Sequence, residues 1–162
     1  MKARAGGVIV SEGQLRDLMA AGRAEGCTFA LANGCFDLLH VGHVRYLWGA
    51  AAEADRLIVA INDDGSVTAL KGADRPIQPA VERAEIVAAL AMVDYVVVFS
   101  SSTVSELLRA LRPDVHCKGT DYTIDTVPER AVVLDYGGRT AIVGDDKDHS
   151  TRDLLDKIGH ER

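Results

Sequence analysis

Apolar residues fall into two kinds of run that alternate along the chain. Short β-rich runs occupy 28–32 (TFALA), 57–61 (LIVAI), 95–99 (YVVVF), 115–117 (VHC) and 140–143 (TAIV). Between them the apolar positions are spaced as on a helix. Val44, Leu47, Trp48 and Ala51 follow i, i+3, i+4, i+7. Ile86, Ala89, Leu90 and Val93 do the same, and Leu107, Leu108 and Leu111 make a third stripe. Ser11 with Gln14, Thr103 with Glu106, and Ser150 with Asp153 have the capping-box spacing that marks a helix start. The segment 11–25 reads as a helix packed on the sheet. Strands apolar on both faces and separated by helices predict a parallel sheet covered on both sides. The expected fold is α/β, a single doubly wound Rossmann-like domain with a parallel sheet of about five strands. It divides into an N-terminal helical segment over 1–26 and a core over 27–160, with no repeat, low-complexity tract or linker.

In such a sheet, ligands bind outside the carboxyl ends of the strands, near the switch in strand order. The loops to inspect are therefore 33–42, 62–79, 118–128 and 144–150. Two of these are conspicuously long against the usual βα loop of about 2–6 residues.

Composition narrows the ligand. The chain has 162 residues, 48% of them apolar, with 18 Lys and Arg against 24 Asp and Glu for a net charge of −6. An acidic chain with only 5% aromatic residues is a poor nucleic-acid binder, which needs surplus cations and stacking platforms. No run spans a bilayer and the N-terminus has no signal-peptide core, so no membrane partner and a cytoplasmic location are expected. Cys27, Cys35 and Cys117 are odd in number and widely spaced, and read as reduced, mostly buried thiols. A nucleophilic Cys35 beside two histidines is the sharper alternative.

The chemistry concentrates after the first predicted strand, in Asn33-Gly34-Cys35-Phe36-Asp37-Leu38-Leu39-His40-Val41-Gly42-His43. Three residues apart, His40 and His43 face one point at a helix N-terminus, where free N–H groups and the dipole attract anions. Gly34 and Gly42 let backbone approach a ligand closely. A metal reading lacks a third ligand nearby, so no protein-bound metal is expected. The plain alternative is a pair of helix-capping histidines.

The segment GCFDLLHVGH resembles the H-x-G-H signature of the nucleotidyltransferase superfamily that contains cytidylyltransferases and phosphopantetheine adenylyltransferase. More narrowly, NGCFDLLHVGHVRYL is similar to the adenylyltransferase domain of bacterial ADP-heptose synthase. The likeness continues through RLIVAINDDGSV, KGADRPIQPAVERAEIVAALAMVDYVVVF, KGTDY and HST, covering roughly residues 28–158. It implies in-line attack by a substrate phosphate oxygen on the α-phosphorus of a nucleoside triphosphate, without a covalent enzyme intermediate. Transfer of AMP from ATP to a heptose 1-phosphate is the implied reaction, with Mg²⁺ accompanying the triphosphate. A stand-alone enzyme of this kind would need a separate kinase, and by analogy would form a homodimer. A cytidylyltransferase acting on glycerol 3-phosphate, or another phosphorylated alcohol, is the alternative within the class. A non-catalytic nucleotide-binding regulatory module is the alternative outside it. Neither G-x-G-x-x-G nor G-x-x-x-x-G-K-[ST] occurs, which disfavours dinucleotide and P-loop sites.

The resemblance, and for several residues their position at the strand ends, distribute roles. Catalysis falls to His40, His43, Lys71 and Arg83, with His43 nearest the charge that develops. Nucleotide binding falls to Asn33, Gly34, Cys35, Phe36, His40, Gly42, His43, Lys118, Ser150 and Thr151. Substrate binding falls to Asp37, Asn62, Asp63, Lys71, Arg75, Arg83 and Tyr122. Several of these keep a second reading. Asp63 serves either a ribose or substrate hydroxyl or the cap of a following helix. Asp37 orients an imidazole, helps hold Mg²⁺, or caps a loop. Tyr122 packs on a sugar or base, or covers its loop, and Ser150 is also a plain N-cap. Where related enzymes show Ser-Thr-Thr, this chain has Ser150-Thr151-Arg152, preceded by an extra His149. His116 and His160 are expected to have no catalytic role. An acidic chain that binds a polyanion must gather its cations at one mouth of the sheet, around His40, His43, Lys71, Arg83, Lys118 and Ser150.

Overall fold

Strand β2 (Phe29–Gly34) sends alternate side chains into two separate apolar layers. Ala30 and Ala32 join one, and Phe29 and Leu31 join the other. The neighbouring strand β3 (Arg56–Asn62) does the same, with Leu57, Val59 and Ile61 opposed to Ile58 and Ala60. Both strands are therefore central, as their unbroken apolar runs require. The computed structural model describes residues 6–146 and 150–159.

The remaining elements, in chain order, cover these two faces or extend the sheet. They are β1 (Val8–Ile9), α1 (Glu12–Ala24), α2 (Val41–Ala51), α3 (Asp64–Lys71), α4 (Ala80–Ala88) and β4 (Tyr95–Phe99). After them come α5 (Ser105–Leu111), β5 (Val115–Lys118), α6 (Arg130–Asp135), β6 (Arg139–Ile142) and α7 (Thr151–Gly159). Helices α2 and α4 bury Leu47, Ala50, Ala84, Val87 and Ala88 in one layer. Leu15 and Met19 of α1, the leucines of α5 and Val133 of α6 fill the other.

All strand pairs are parallel, in the order β1-β4-β3-β2-β5-β6. The doubly wound expectation holds, with a sixth strand added at one edge. Strand β1 is two residues long and pairs Val8 with Tyr95 and Ile9 with Val96. A strand that short shows no alternation, so hydropathy did not reveal it. From β2 the chain winds outward through β3 and β4, then crosses back to place β5 on the opposite side of β2. The carboxyl ends of β2 and β5 thus flank the switch point, where a parallel sheet opens a crevice.

Two of the three helical stripes are rotated from their predicted facing. On α2 the fully buried residues are Leu47 and Ala50, whereas Trp48 is 63% exposed. A Cβ on Gly49 would come within 2.9 Å of Val143 Cβ, so α2 lies against the chain after β6 through its small residues. On α4 the buried set is Arg83, Ala84, Val87 and Ala88, and Ile86 faces outward. An arginine inside the layer sets that rotation, for reasons given below. The α5 stripe matches, with Leu107, Leu108 and Leu111 buried.

Of the three predicted caps, Ser11 and Gln14 form a full capping box on α1. Ser150 Oγ accepts from Asp153 N at 3.1 Å. The Thr103 cap does not form, because α5 begins later, at Ser105, with Val104 in the cap position. Predictions about His149 and His160 lie outside the described residues.

Candidate active site

The crevice is built outward from Gly34, the last residue of β2. A Cβ there would stand 3.1 Å from the Phe36 ring, so glycine makes room for that aromatic. Phe36 (φ 49°) and Leu38 (φ 60°) both adopt the left-handed region that non-glycine residues avoid. The two reversals turn Asp37 inward and deliver His40 to the start of α2.

His40 is the N-cap of that helix, and the two histidines cap reciprocally. His40 Nδ1 accepts the Gly42 N–H at 3.1 Å, and His43 Nδ1 accepts the His40 N–H at 3.3 Å. Their rings lie 3.9 Å apart, and the Phe36 ring stands 5.2 Å from that of His43. An Nδ1 that accepts carries no proton, so this network assigns the proton of each neutral ring to Nε2. Burial first, then the neighbouring His40 ring and the Lys71 charge, push the His43 pKa down to about 3. His43 is therefore a neutral N–H donor at physiological pH. The capping reading has its bonds in place, and an Nε2–H donor is what the anion-binding reading requires.

Behind this loop lies a closed polar knot. The buried Asp37 carboxylate accepts from Ile77 N and Gln78 N at 3.0 Å and from Arg75 Nε at 2.6 Å. Burial pushes the Asp37 pKa up, but the two backbone N–H groups and Arg75 outweigh it and hold it below the usual value. Of the alternatives for Asp37, loop capping is the one with bonds in place. Arg83 has a side-chain exposure of 0%. It donates to the carbonyls of Gln78, Cys35 and Asn62 and to Asp64 Oδ1. These carbonyls explain how α4 tolerates an arginine in its buried stripe. Asn62 donates to Ser66 Oγ at 3.3 Å and Ser101 O at 3.2 Å. Asp63 caps α3 through Ser66 N at 2.8 Å. Burial raises the Cys35 pKa against the opposing pull of Lys71 and Arg83, so Cys35 is a thiol rather than a ready nucleophile.

In front of the knot the crevice has a volume of about 990 Å³. Asn33, Gly34, Phe36, His40, Gly42, His43, Lys71, Arg75, Lys118, Tyr122, Ser150 and Thr151 line it. Five expected site residues do not: Cys35, Asp37, Asn62, Asp63 and Arg83 lie in the knot. Lys118 at the end of β5 sits over the Tyr122 ring, 4.6 Å from its centroid, and burial lowers its pKa. Thr151 Oγ1 donates to the carbonyls of Asp37 and Leu38, tying the start of α7 to the histidine loop.

Charge is not gathered as simply as expected. Arg83 faces away, and the loops after β5 and β6 add Asp121, Asp145 and Asp146 to the lining. Asp145 pairs with Arg45 of α2 at 2.5 Å. Sequence reasoning also missed Tyr46, whose hydroxyl donates to Cys117 O at 2.7 Å from the crevice wall. Nothing in its surroundings distinguishes it from an ordinary helix residue. Among the described residues no three His, Cys, Asp or Glu side chains gather as a metal-ligand set. The Asp37 carboxylate is already committed to Ile77 N, Gln78 N and Arg75 Nε. No described helix is long and apolar enough to cross a membrane.

Comparison with known proteins places this geometry. The family described as Cytidylyltransferase-like matches residues 31–154. The chain is 46% identical over 144 residues to the Bifunctional protein HldE of Syntrophotalea carbinolica, and 47% identical to that of Geobacter sulfurreducens. Each alignment covers 89% of this chain but only 29% of the relative, so the chain spans under a third of their length. Among solved structures, a lipopolysaccharide core biosynthesis protein from Thermoplasma volcanium superposes with a TM-score of 0.64. At 24% identity over 75% of this chain and 100% of that one, it shows the shared fold.

Proposed function

The chain belongs to the cytidylyltransferase-like family, and from that premise we propose that it is a sugar-phosphate nucleotidyltransferase. It moves AMP from ATP to a heptose 1-phosphate and releases pyrophosphate. The observation that carries this reading is the reciprocal His40–His43 cap at the switch-point crevice, with both ring protons assigned to Nε2. The NGCFDLLHVGHVRYL and KGTDY blocks support the heptose acceptor, as does the likeness to the HldE proteins.

In this reading an acceptor phosphate oxygen attacks the α-phosphorus in line, forming one P–O bond as the bond to the β-phosphate bridge breaks. Negative charge grows on the phosphoryl oxygens and the departing pyrophosphate. A protein accelerates such a step by positioning and by fixed donors. His43 donates its Nε2–H to that charge, and its neutrality means no proton has to move. His40 shares the triphosphate, and Lys71 and Lys118 supply mobile positive charge from opposite sides of the crevice. Arg75 stands beside them at the Asp37 pair. Ser150 and Thr151 bring the N-terminus of α7, and Asn33, Gly34, Phe36 and Gly42 shape the nucleotide side. Arg83 and Asp37 act by holding the histidine loop. Mg²⁺, when bound with the triphosphate, would neutralise charge on the phosphates and on the departing pyrophosphate. A homodimer belongs to the same reading and is checked by light scattering.

Pyrophosphate release measured with ATP, CTP, GTP and UTP against a panel of sugar and polyol phosphates tests the proposal. ATP with a heptose 1-phosphate should give the highest kcat/KM. Preference for CTP with glycerol 3-phosphate would replace this assignment with the cytidylyltransferase one. Nucleotide binding without pyrophosphate release from any pair would indicate a regulatory module.

A further inference from the structure

One buried titratable side chain close to the crevice has no part in the mechanism above. His116, in the middle of β5, has no solvent exposure and sits beside Leu31 in the sheet register. Its Nε2 lies 2.9 Å from Asn33 Oδ1, while its Nδ1 has no partner. Asn33 stands two residues further along β2, at the crevice.

Two arrangements fit the 2.9 Å contact. In the first, Nε2–H donates to the carboxamide oxygen and the orphan Nδ1 is a bare acceptor. In the second, the carboxamide NH₂ donates to Nε2, leaving Nδ1 with a proton and no acceptor. A buried N–H without an acceptor is the rarer and costlier orphan, which selects the first. The Asn33 NH₂ then points away from His116, and no described residue accepts from it.

We propose that His116 is a positioning residue of the nucleotide site. By donating Nε2–H to the Asn33 carbonyl oxygen it holds the carboxamide so that the NH₂ faces the bound nucleotide. The ligand atoms this selects are acceptors: a phosphate oxygen, a ribose oxygen, or a base carbonyl or ring nitrogen. An unpinned carboxamide is free to turn its oxygen toward a polyanion, which repels it. The inference rests on the nucleotidyltransfer reading. Burial, together with the Lys118 charge, lowers the His116 pKa to about 3, which keeps the ring in the one-proton form this bond uses.

A double-mutant cycle with a rescue variant tests it. His116→Leu should raise nucleotide KM roughly tenfold, the cost of one hydrogen bond, with kcat within about twofold. His116→Gln offers an N–H to the same oxygen and should recover most of the loss. In an Asn33→Ala background, His116→Leu should change KM no further. Additive effects in the cycle, or an unchanged KM in His116→Leu, would overturn the proposal. Should His116→Leu fail to fold, nitrogen NMR of the wild type decides, because a proton on His116 Nδ1 excludes the bond. Wild type that binds no nucleoside triphosphate in calorimetry would instead mark failure of the underlying functional reading.

Discussion

Two polar clusters meet at the end of β2, and their side chains do opposite things. In the knot, Asp37, Arg83, Asn62 and Asp63 direct their hydrogen bonds inward, to one another's loops and backbone. In the crevice wall, His43 and Lys71 line the open cleft, and Lys118 lies there over the Tyr122 ring. Arg83 and Lys71 are both cations in one loop-and-helix segment, twelve residues apart in sequence. One is sealed by three carbonyls and a carboxylate, and the other is exposed. Residue type marks where polar chemistry gathers, but the destination of each donor separates scaffold from ligand contact.

The largest effect should come from the knot. Arg83→Met leaves the carbonyls of Gln78, Cys35 and Asn62 without their donor, and should cost about 3–5 kcal/mol of stability. Thermal unfolding should show a fall of about 10 °C. A variant of normal stability that loses only turnover would move Arg83 into the wall and break the contrast. His43→Ala should behave in the opposite way. It should lower kcat by about 10²–10³, the usual cost of one transition-state donor, with nucleotide affinity nearly kept. Wild-type turnover in this variant would remove His43 from the mechanism.

A pH series probes one histidine from each side of the crevice floor. His43 and His116 are both pushed down to about 3 from an ordinary 6.5, chiefly by burial. Between those values the unfolded chain binds more protons than the folded one. Their contribution is therefore complete above pH 6.5 and lost as pH falls toward 3. Each histidine adds a slope of at most about 1.4 kcal/mol per pH unit. Urea unfolding at pH 7 and pH 5 should show the loss, reduced in His116→Leu. A flat wild-type profile would mean that the rings titrate in the folded protein as they do in the unfolded chain. The smallest effect is expected at Lys71→Ala, with stability within about 0.5 kcal/mol of wild type. Its nucleotide KM should rise about tenfold, the low end for a hydrogen bond to a charged group. A stability loss there would blur the line between wall and knot.

The contrast also explains what was legible in the sequence. Central strands announce themselves because both faces are apolar, and α5 because its leucines all point inward. The signature HVGH located the crevice because helix-start chemistry is local: cap and tautomer arise within a few residues. Asp37 and Arg83 lie in the knot rather than in the crevice lining, and their partners are remote in sequence. Asp37 reaches the backbone of Ile77 and Gln78, and Arg83 reaches Cys35, separations that no local pattern encodes. The α4 facing failed for the same reason, since a stripe of apolar residues cannot show that an arginine belongs inside it. Trp48 was misplaced because α2 approaches its neighbours through Gly49, and close approach favours the smallest residue over the most apolar one.

Helix α7 carries one more consequence. None of its nine residues is buried, and Thr151 links its first turn to the carbonyls of Asp37 and Leu38. Such a helix can lose its amide protons to solvent through local opening, long before the sheet unfolds. Hydrogen exchange should therefore report two layers of protection in the resting protein, with α7 in the faster one. A ligand that engages Ser150 would shift α7 toward the slower layer, so part of the affinity is spent on quieting a helix. The dissociation rate would then be set as much by how often that helix opens as by any contact to the triphosphate.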